Sequence, residues 1–438
     1  MNIVIFSHFY NIDGLIGAVR WTSLSKRLSQ KHNLYVVTHD PKKVGKVEKE
    51  GNITVIYQDD ECAYVKRGSN KEKANSNSST KQKTFREVKD HDQNRSIKKR
   101  LKDTIKIVLY MWSMKKTSKA NVKKLLNYLD SNGVCVDYII STSRPFIGCF
   151  NAYYITRKLR VPWLLDQRDL PFSYTDRNST DEKFYKREFK KFEKYVTKHT
   201  LVSKGMAESF VEFMDNKNSD KVNVLYNGYN IGDIVEVKDS NDKKIKFSYV
   251  GDLYEGMRDA RILFDALHKL SEKRADFSIL DFQFDYAGSD SSSLFENARK
   301  YGFESIINDN GKVKHSEAIR IQQESDFVLL LTWNTLDYKG ILPGKFYECM
   351  LVNKPVICIT SGTVSNGEAG QMVRDMNLGI AVEYLDYEKN LQKLTDYLDF
   401  QYSRFKEGKP MLFEPDKKSV CDFNYDNLVL KLENILFS

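Results

Sequence analysis

Apolar and polar positions along this chain follow two alternating rhythms. Short apolar-rich runs occur at 3–6, 34–38, 53–57, 138–141, 163–166, 200–203 and 222–225, and again at 246–250, 284–287, 327–332, 356–360 and 380–382. Runs of this length, several of them with little or no polar interruption, predict strands of a parallel sheet covered on both faces. Between several of them apolar residues recur every three or four positions, as in Ala18, Trp21, Leu24 and Leu28. That spacing predicts helices over 17–30, 260–270, 316–323 and 425–436. Strands and helices taking turns define an α/β chain, and the polar stretch 232–244 reads as a linker between two such blocks. The expected division is a first domain over 1–232, completed by a C-terminal helix at 420–438, and a second over 243–415.

One region breaks the rhythm. Residues 67–94 are rich in Lys, Asn and Ser and poor in apolar side chains, which predicts a mobile loop or a partly disordered insertion. After it, Ile97, Leu101, Ile105, Val108 and Trp112 recur at helical spacing among Lys98, Lys99, Arg100, Lys102 and Lys106. Two readings stay open for this basic amphipathic stripe at 97–112: it lies on an anionic membrane surface, or it packs on the first domain.

Composition narrows the class. The 438 residues, 41% hydrophobic, suffice for two or three domains with sizeable cores. No apolar run has the length of a membrane span, and the N-terminus has neither a basic leader nor a cleavage site, so a cytoplasmic protein is expected, with a peripheral placement at the inner face of the membrane if the stripe binds lipid. The six cysteines show no Cys-x-x-Cys spacing and the seven histidines no metal pattern, which suits buried reduced thiols and no metal site. A net charge of +10 favours anionic partners, but much of the excess lies in 66–124 and does not choose among nucleic acid, lipid and phosphorylated small molecules.

Chemistry concentrates in the second block. After the run 327–332 comes Gly340-Ile-Leu-Pro-Gly-Lys-Phe-Tyr-Glu348, a Gly/Pro loop leading into a helix. A helix start offers unpaired N–H groups and partial positive charge to a phosphate. Gly344 lets the backbone approach, Lys345 adds a full charge, and Glu348, one turn on, can accept two hydroxyls of a ribose. The block opens with Tyr249-Val-Gly-Asp-Leu-Tyr-Glu-Gly-Met-Arg-Asp259, a strand, a glycine loop at Gly251 and Gly256, and a helix expected to begin near Arg258. A guanidinium there can fork onto diphosphate oxygens. Both segments follow strands, where open α/β sheets bind ligands.

Taken with the loop at Gly14 and Gly17 and with Arg20, Trp163-Leu-Leu-Asp-Gln-Arg-Asp169, Leu201-Val-Ser-Lys-Gly-Met206 and Val224-Leu-Tyr-Asn-Gly228, these motifs give the chain a resemblance to GT-B glycosyltransferases of family 4, the bacterial type that builds capsule, O-antigen or exopolysaccharide. The ordered set spans nearly the whole chain apart from 60–130. The resemblance implies two Rossmann-like doubly wound domains facing across a cleft. It implies transfer of a sugar from a nucleotide-diphosphate donor to a glycan or lipid-linked acceptor, with retention and without metal or cofactor. Arg258 and Lys345 are the implied catalytic cations on the diphosphate. Gly17, Gly251, Gly344 and Glu348 are the implied donor contacts, and the nucleobase is expected along 312–319.

The chain departs from the family at two places. Where the family has the first of two paired glutamates it has Gly340, with Asp337 the nearest substitute. In place of a first-domain histidine it has Ser141-Thr-Ser-Arg-Pro145, which makes Arg144 a cleft candidate. Arg168 and Asp169 are assigned to the acceptor side or to shaping the cleft. Two other functions remain in competition: a nucleotide-sugar epimerase on the same fold, and a basic nucleic-acid-binding protein using 98–124. The second lacks interleaved aromatics and a nucleic-acid module, so no nucleic-acid partner is expected.

Overall fold

The computed structural model describes the chain apart from 13–15, 60–96, 171–179, 216–218, 238–243 and 337–338. Gly14, the 67–94 insertion, Asp337 and part of the linker therefore lie outside the described residues. The chain divides into unit 1, Met1–Tyr226 with Val429–Ser438, and unit 2, Asn227–Leu428.

Unit 1 is built on strands β1 (Asn2–Phe6), β2 (Asn33–Thr38), β3 (Val47–Glu50), β4 (Ile53–Tyr57), β5 (Tyr138–Thr142), β6 (Trp163–Gln167), β7 (Lys198–Leu201) and β8 (Val222–Val224), in the order β3-β4-β2-β1-β5-β6-β7-β8. All described ladders are parallel except β3 with β4. Helices α1 (Ile16–Leu28), α2 (Ile97–Ser131), α3 (Ile147–Leu159), α4 (Thr180–Phe192) and α5 (Lys204–Phe213) connect them. The apolar-rich runs are buried strands, as their composition predicts: Ile3, Val4 and Ile5 have no exposed surface, and β6 is buried along its length. Strand β3 carries no apolar run; its four residues are exposed at the sheet edge, and pairing with β4 rather than burial defines it.

Unit 2 has the parallel order β11-β10-β9-β12-β13-β14, from β9 (Ile245–Val250), β10 (Phe282–Ala287), β11 (Ile307–Asp309), β12 (Phe327–Asn334), β13 (Val356–Gly362) and β14 (Gly379–Glu383). Its helices are α6 (Arg261–Lys273), α7 (Ser292–Arg299), α8 (His315–Gln323), α9 (Gly344–Val352), α10 (Glu368–Asp375), α11 (Tyr387–Lys406) and α12 (Lys417–Cys421). The last helix, α13, covers Tyr425–Phe437. The core centres on β9, β10, β12 and β13 with α6 and α11.

Each sheet has one place where the strand order reverses, and in open α/β sheets ligands bind beyond the carboxyl ends of the strands at that point. In unit 1 it lies between β1 and β5. In unit 2 it lies between β9 and β12, whose ladder is confined to Phe247↔Phe327 and Ser248↔Val328, whereas β9 pairs with β10 over six residues. The short ladder leaves the carboxyl ends of β9 and β12 unpaired with each other.

Several sequence motifs have structural duties. Ser203 caps α5, its hydroxyl accepting from the Met206 N–H at 3.1 Å. A Cβ at Gly228 would stand 2.3 Å from the Phe423 carbonyl oxygen, so close packing requires the glycine. Of the 97–112 stripe, Ile105, Val108 and Trp112 are exposed, which corrects the reading that packs them on the first domain; the buried face of α2 is Ile107, Met111 and Met114, and the side chains of Ile97 and Leu101 lie outside the described residues. Cys149, Cys349 and Cys358 are buried thiols as expected, but Cys135 and Cys421 are exposed. Among the described residues no helix is long and apolar enough to cross a membrane.

Candidate functional site

The reversal in unit 2 gathers the expected donor residues. Strand β9 ends at Val250 and the chain turns at Gly251, whose φ of +141° suits glycine. A single 3-10 turn, Tyr254–Gly256, follows, and Arg258 stands in the loop three residues before α6 begins, not in the helix itself. From the next strand, β12, the chain passes Gly340 and Pro343 and enters α9 at Gly344. Pro343 offers no side-chain cap, so the start of α9 keeps donors for a ligand. The two segments meet over Gly251: a Cβ there would lie 3.6 Å from Lys345 Cε and 3.7 Å from an Arg258 terminal nitrogen. Two cations, a bare glycine and a helix N-terminus thus converge on one spot.

Neither cation is saturated by strong partners. Arg258 donates to the Asp252 carbonyl at 3.2 Å and to the Tyr249 hydroxyl at 3.4 Å, and lies over the rings of Tyr254 and Trp333, 4.5 and 5.5 Å from their centroids. Its Nε is buried without a hydrogen-bond partner among the described residues. Lys345 Nζ reaches Glu348 at 3.3 and 3.4 Å. These are long contacts that a phosphate oxygen can replace with shorter ones.

Glu348 is 14% exposed and aimed by two helices. The buried Gln322 on α8 donates its amide to Glu348 Oε2 at 3.0 Å and is itself anchored on the Ala318 carbonyl at 3.2 Å. His315 Nδ1 stands 3.9 Å from Glu348 Oε1 and its Nε2 4.0 Å from Asp233. The Asp233 carboxylate raises the His315 pKa above its ordinary value; burial opposes the rise and Glu348 adds to it. Sequence reasoning missed Gln322 and His315. The signal was their i, i+7 spacing on α8, inside and just past the 312–319 stretch, which puts both on one face.

Gly340 is buried with φ of +68°, a conformation that penalises any side chain. The glycine where the family resemblance expects a glutamate therefore has a backbone reason.

The reversal in unit 1 holds Gly17, Arg144 and Arg168. Arg168 donates to the Gly17 carbonyl at 2.7 Å, and a Cβ on Gly17 would stand 3.0 Å from the same guanidinium. Arg168 Nε lies 3.5 Å from Asp169, which is half exposed. Arg144 is exposed. Gly17, Arg144 and Arg168 line a small surface depression together with Ser7, Phe9 and Ser143. The same depression is lined by a group whose role the sequence did not disclose. The fully buried Asp166 accepts from Arg20 Nε at 3.0 Å and Nη2 at 2.9 Å, from Trp21 Nε1 at 2.8 Å and from Thr200 Oγ1 at 2.7 Å. Arg20 also donates to the carbonyls of Leu225 and Tyr226, where the chain leaves unit 1.

Neither a family model nor a curated protein matches this chain. Solved structures do. An E. coli trehalose-6-phosphate protein bound with UDP-2-fluoro glucose is 10% identical, with 100% of this chain and 99% of that one covered and a TM-score of 0.64. Sucrose-phosphate synthase from Thermosynechococcus elongatus is 11% identical over 99% of this chain and 98% of its own, TM-score 0.57. The lipopolysaccharide outer core galactosyltransferase WaaB, in its apo form, is 15% identical over 100% and 99%, TM-score 0.51. At these identities the likeness concerns architecture, and it shows that the chain has the GT-B fold, with two Rossmann-like units.

Proposed function

We propose that this protein is a glycosyltransferase that moves a sugar from a nucleotide-diphosphate donor to a glycan or lipid-linked acceptor. The observation that carries the reading is the meeting of Arg258 and Lys345 over Gly251 at the reversal point of unit 2. Breaking the bond between sugar and phosphate builds negative charge on the departing diphosphate. Two fixed cations and the uncapped start of α9 stabilise that charge without rearranging as it develops. The Gly251 backbone leaves room for the diphosphate between them. Glu348, steadied by Gln322, accepts the ribose hydroxyls one helical turn from Lys345. The charge needed by the leaving group is already supplied by side chains, which supports a metal-independent reaction. Retention of anomeric configuration, and a role in surface polysaccharide assembly, follow the resemblance to family 4 and complete the proposal. On this reading Arg144, Arg168 and Asp169 serve the acceptor.

The test is a screen of uridine and guanosine diphosphate sugars for thermal stabilisation and for diphosphate release, followed by product analysis with a labelled donor. Label transferred to a glycan or lipid-linked acceptor supports the proposal. An isomerised nucleotide sugar in place of a transfer product points instead to an epimerase. No stabilisation by any nucleotide sugar contradicts both.

A further inference from the structure

Arg258 reaches the candidate site from a loop, and among the described residues no carboxylate fixes its guanidinium there. Asp252 and Asp259 stand close to it in sequence, yet both turn elsewhere. Asp252 accepts from the Ser289 N–H at 3.1 Å and from the Ser289 hydroxyl. Asp259 accepts from the Arg261 N–H at 2.8 Å and from Asn297 Nδ2 at 3.1 Å. The guanidinium lies instead over the rings of Tyr254 and Trp333, whose centroids are 5.9 Å apart with their planes at 61°. A ring face attracts a cation without neutralising its charge and without occupying its N–H donors. A carboxylate would do both.

The backbone carries a second, independent observation. Tyr254 has φ of +49°, in the left-handed region where a bulky side chain is strained. Glycine would sit there easily, as Gly256 does two residues on at φ of +86°. The Tyr254 side chain is 50% exposed, so core packing does not account for a tyrosine at this position. The left-handed turn delivers its ring to Arg258. The main chain around Arg258 is tied separately. The Ser361 hydroxyl, on β13, donates to the Met257 carbonyl at 2.5 Å, and the Arg258 N–H donates to the Leu253 carbonyl at 3.0 Å. Hydrogen bonds thus hold the loop, and the two rings hold the charged end of the side chain.

We propose that Tyr254 and Trp333 are positioning residues for Arg258. The ring pair holds the guanidinium where the diphosphate binds and leaves its full charge, its Nε and its remaining N–H groups to the phosphate oxygens. The strained backbone at Tyr254 is what places a ring where glycine would be easier. The inference rests on the donor reading of unit 2 and adds to it the side chains that keep one of its two cations available.

The experiment is a double-mutant cycle read by calorimetric titration of uridine and guanosine diphosphate into the full chain, with melting curves on every variant. Tyr254→Leu should weaken the nucleotide that binds wild type about two- to fivefold, and Tyr254→Leu with Trp333→Leu about ten- to thirtyfold. Tyr254→Phe keeps the ring and should bind within about twofold of wild type. Tyr254→Gly should bind as weakly as Tyr254→Leu yet melt higher than it, because glycine relieves the backbone while removing the ring. In an Arg258→Ala background the same ring replacements should change binding less than about twofold, since the rings act through the guanidinium. If the Trp333 variant does not fold, the half-exposed Tyr254 carries the cycle by itself. The proposal is overturned if the ring replacements weaken binding equally in both backgrounds, or if Tyr254→Phe is as weak as Tyr254→Leu. An effect on a nucleotide sugar but none on the nucleoside diphosphate also overturns it, and places the rings against the sugar. In all three outcomes Arg258→Ala by itself still weakens the nucleotide, so the donor reading stands. Nucleotide binding that ignores Arg258→Ala overturns both.

Discussion

The two units present the same topological feature with opposite contents. At the reversal point of unit 1 the buried charges are consumed internally: Asp166 accepts four hydrogen bonds from Arg20, Trp21 and Thr200, and Arg20 spends its remaining donors on two backbone carbonyls. At the reversal point of unit 2 the cations keep long or soft contacts, an aromatic face, a carbonyl at 3.2 Å, a carboxylate at 3.3 Å. A saturated buried pair holds a fold together; unsaturated cations beside a bare glycine are ready for an anion. On the proposed function, the number of hydrogen bonds already satisfied, rather than the residue type, separates the structural charge from the functional one.

That contrast can be broken from either side. The largest expected effect is on stability in unit 1. Removing one partner of the buried pair, by Arg20→Ala or Asp166→Asn, should cost about 3–5 kcal/mol in urea unfolding. A loss under about 1 kcal/mol would mean that the pair is not a structural element. In unit 2, Arg258→Ala and Lys345→Ala should each raise the barrier by about 3–4 kcal/mol, a loss of roughly a hundred- to a thousandfold in kcat, with little change in melting temperature. Equal loss from Arg168→Ala in donor turnover would erase the distinction between the two reversal points.

Smaller effects sharpen the picture of Glu348. Gln322 touches no ligand in this account and acts by orienting the carboxylate. Gln322→Ala should weaken donor binding by about 1–2 kcal/mol, seen in KM, with kcat nearly unchanged. A drop in kcat with KM constant would give Gln322 a different role. His315 supplies the mildest effect. Its pKa is raised in the folded chain by Asp233 and Glu348, so its stabilising contribution is fully present below the unfolded value of about 6.5 and is lost as pH rises through the folded value. The melting temperature of wild type relative to His315→Gln should therefore be highest near pH 5.5–6.5 and converge toward pH 8–9, by roughly the few tenths to one kcal/mol of a half-exposed ion pair. A gap that widens with pH would contradict the sign.

Much of this was legible in the chain itself, for identifiable reasons. Buried parallel strands need continuous apolar runs, so 3–6, 163–166 and 327–332 announce themselves. The convergence proposed as the donor site was legible because helix starts, glycine turns and cations are local in sequence: Gly251 to Arg258 and Gly340 to Glu348 are single stretches. What escaped was long-range. Arg20 and Asp166 are 146 residues apart, and nothing local says that they meet. Strand β3 has no apolar signal. The outward turn of Ile105, Val108 and Trp112 was undetermined because two apolar stripes interleave on α2, and the better-filled one, with Ile107, Met111 and Met114, took the core.

The central claim is that unit 2 clamps a nucleoside diphosphate between Arg258, Lys345 and the start of α9. Calorimetric titration of uridine and guanosine diphosphate into wild type, an Arg258→Ala/Lys345→Ala variant and an Arg144→Ala/Arg168→Ala variant tests it most directly. One of the two nucleotides should bind wild type and the Arg144/Arg168 variant with similar affinity, and bind the Arg258/Lys345 variant at least about a hundredfold more weakly, as expected for losing two charge-assisted contacts. Binding that survives in the Arg258/Lys345 variant and disappears in the Arg144/Arg168 variant would place the diphosphate in the other unit and contradict the account.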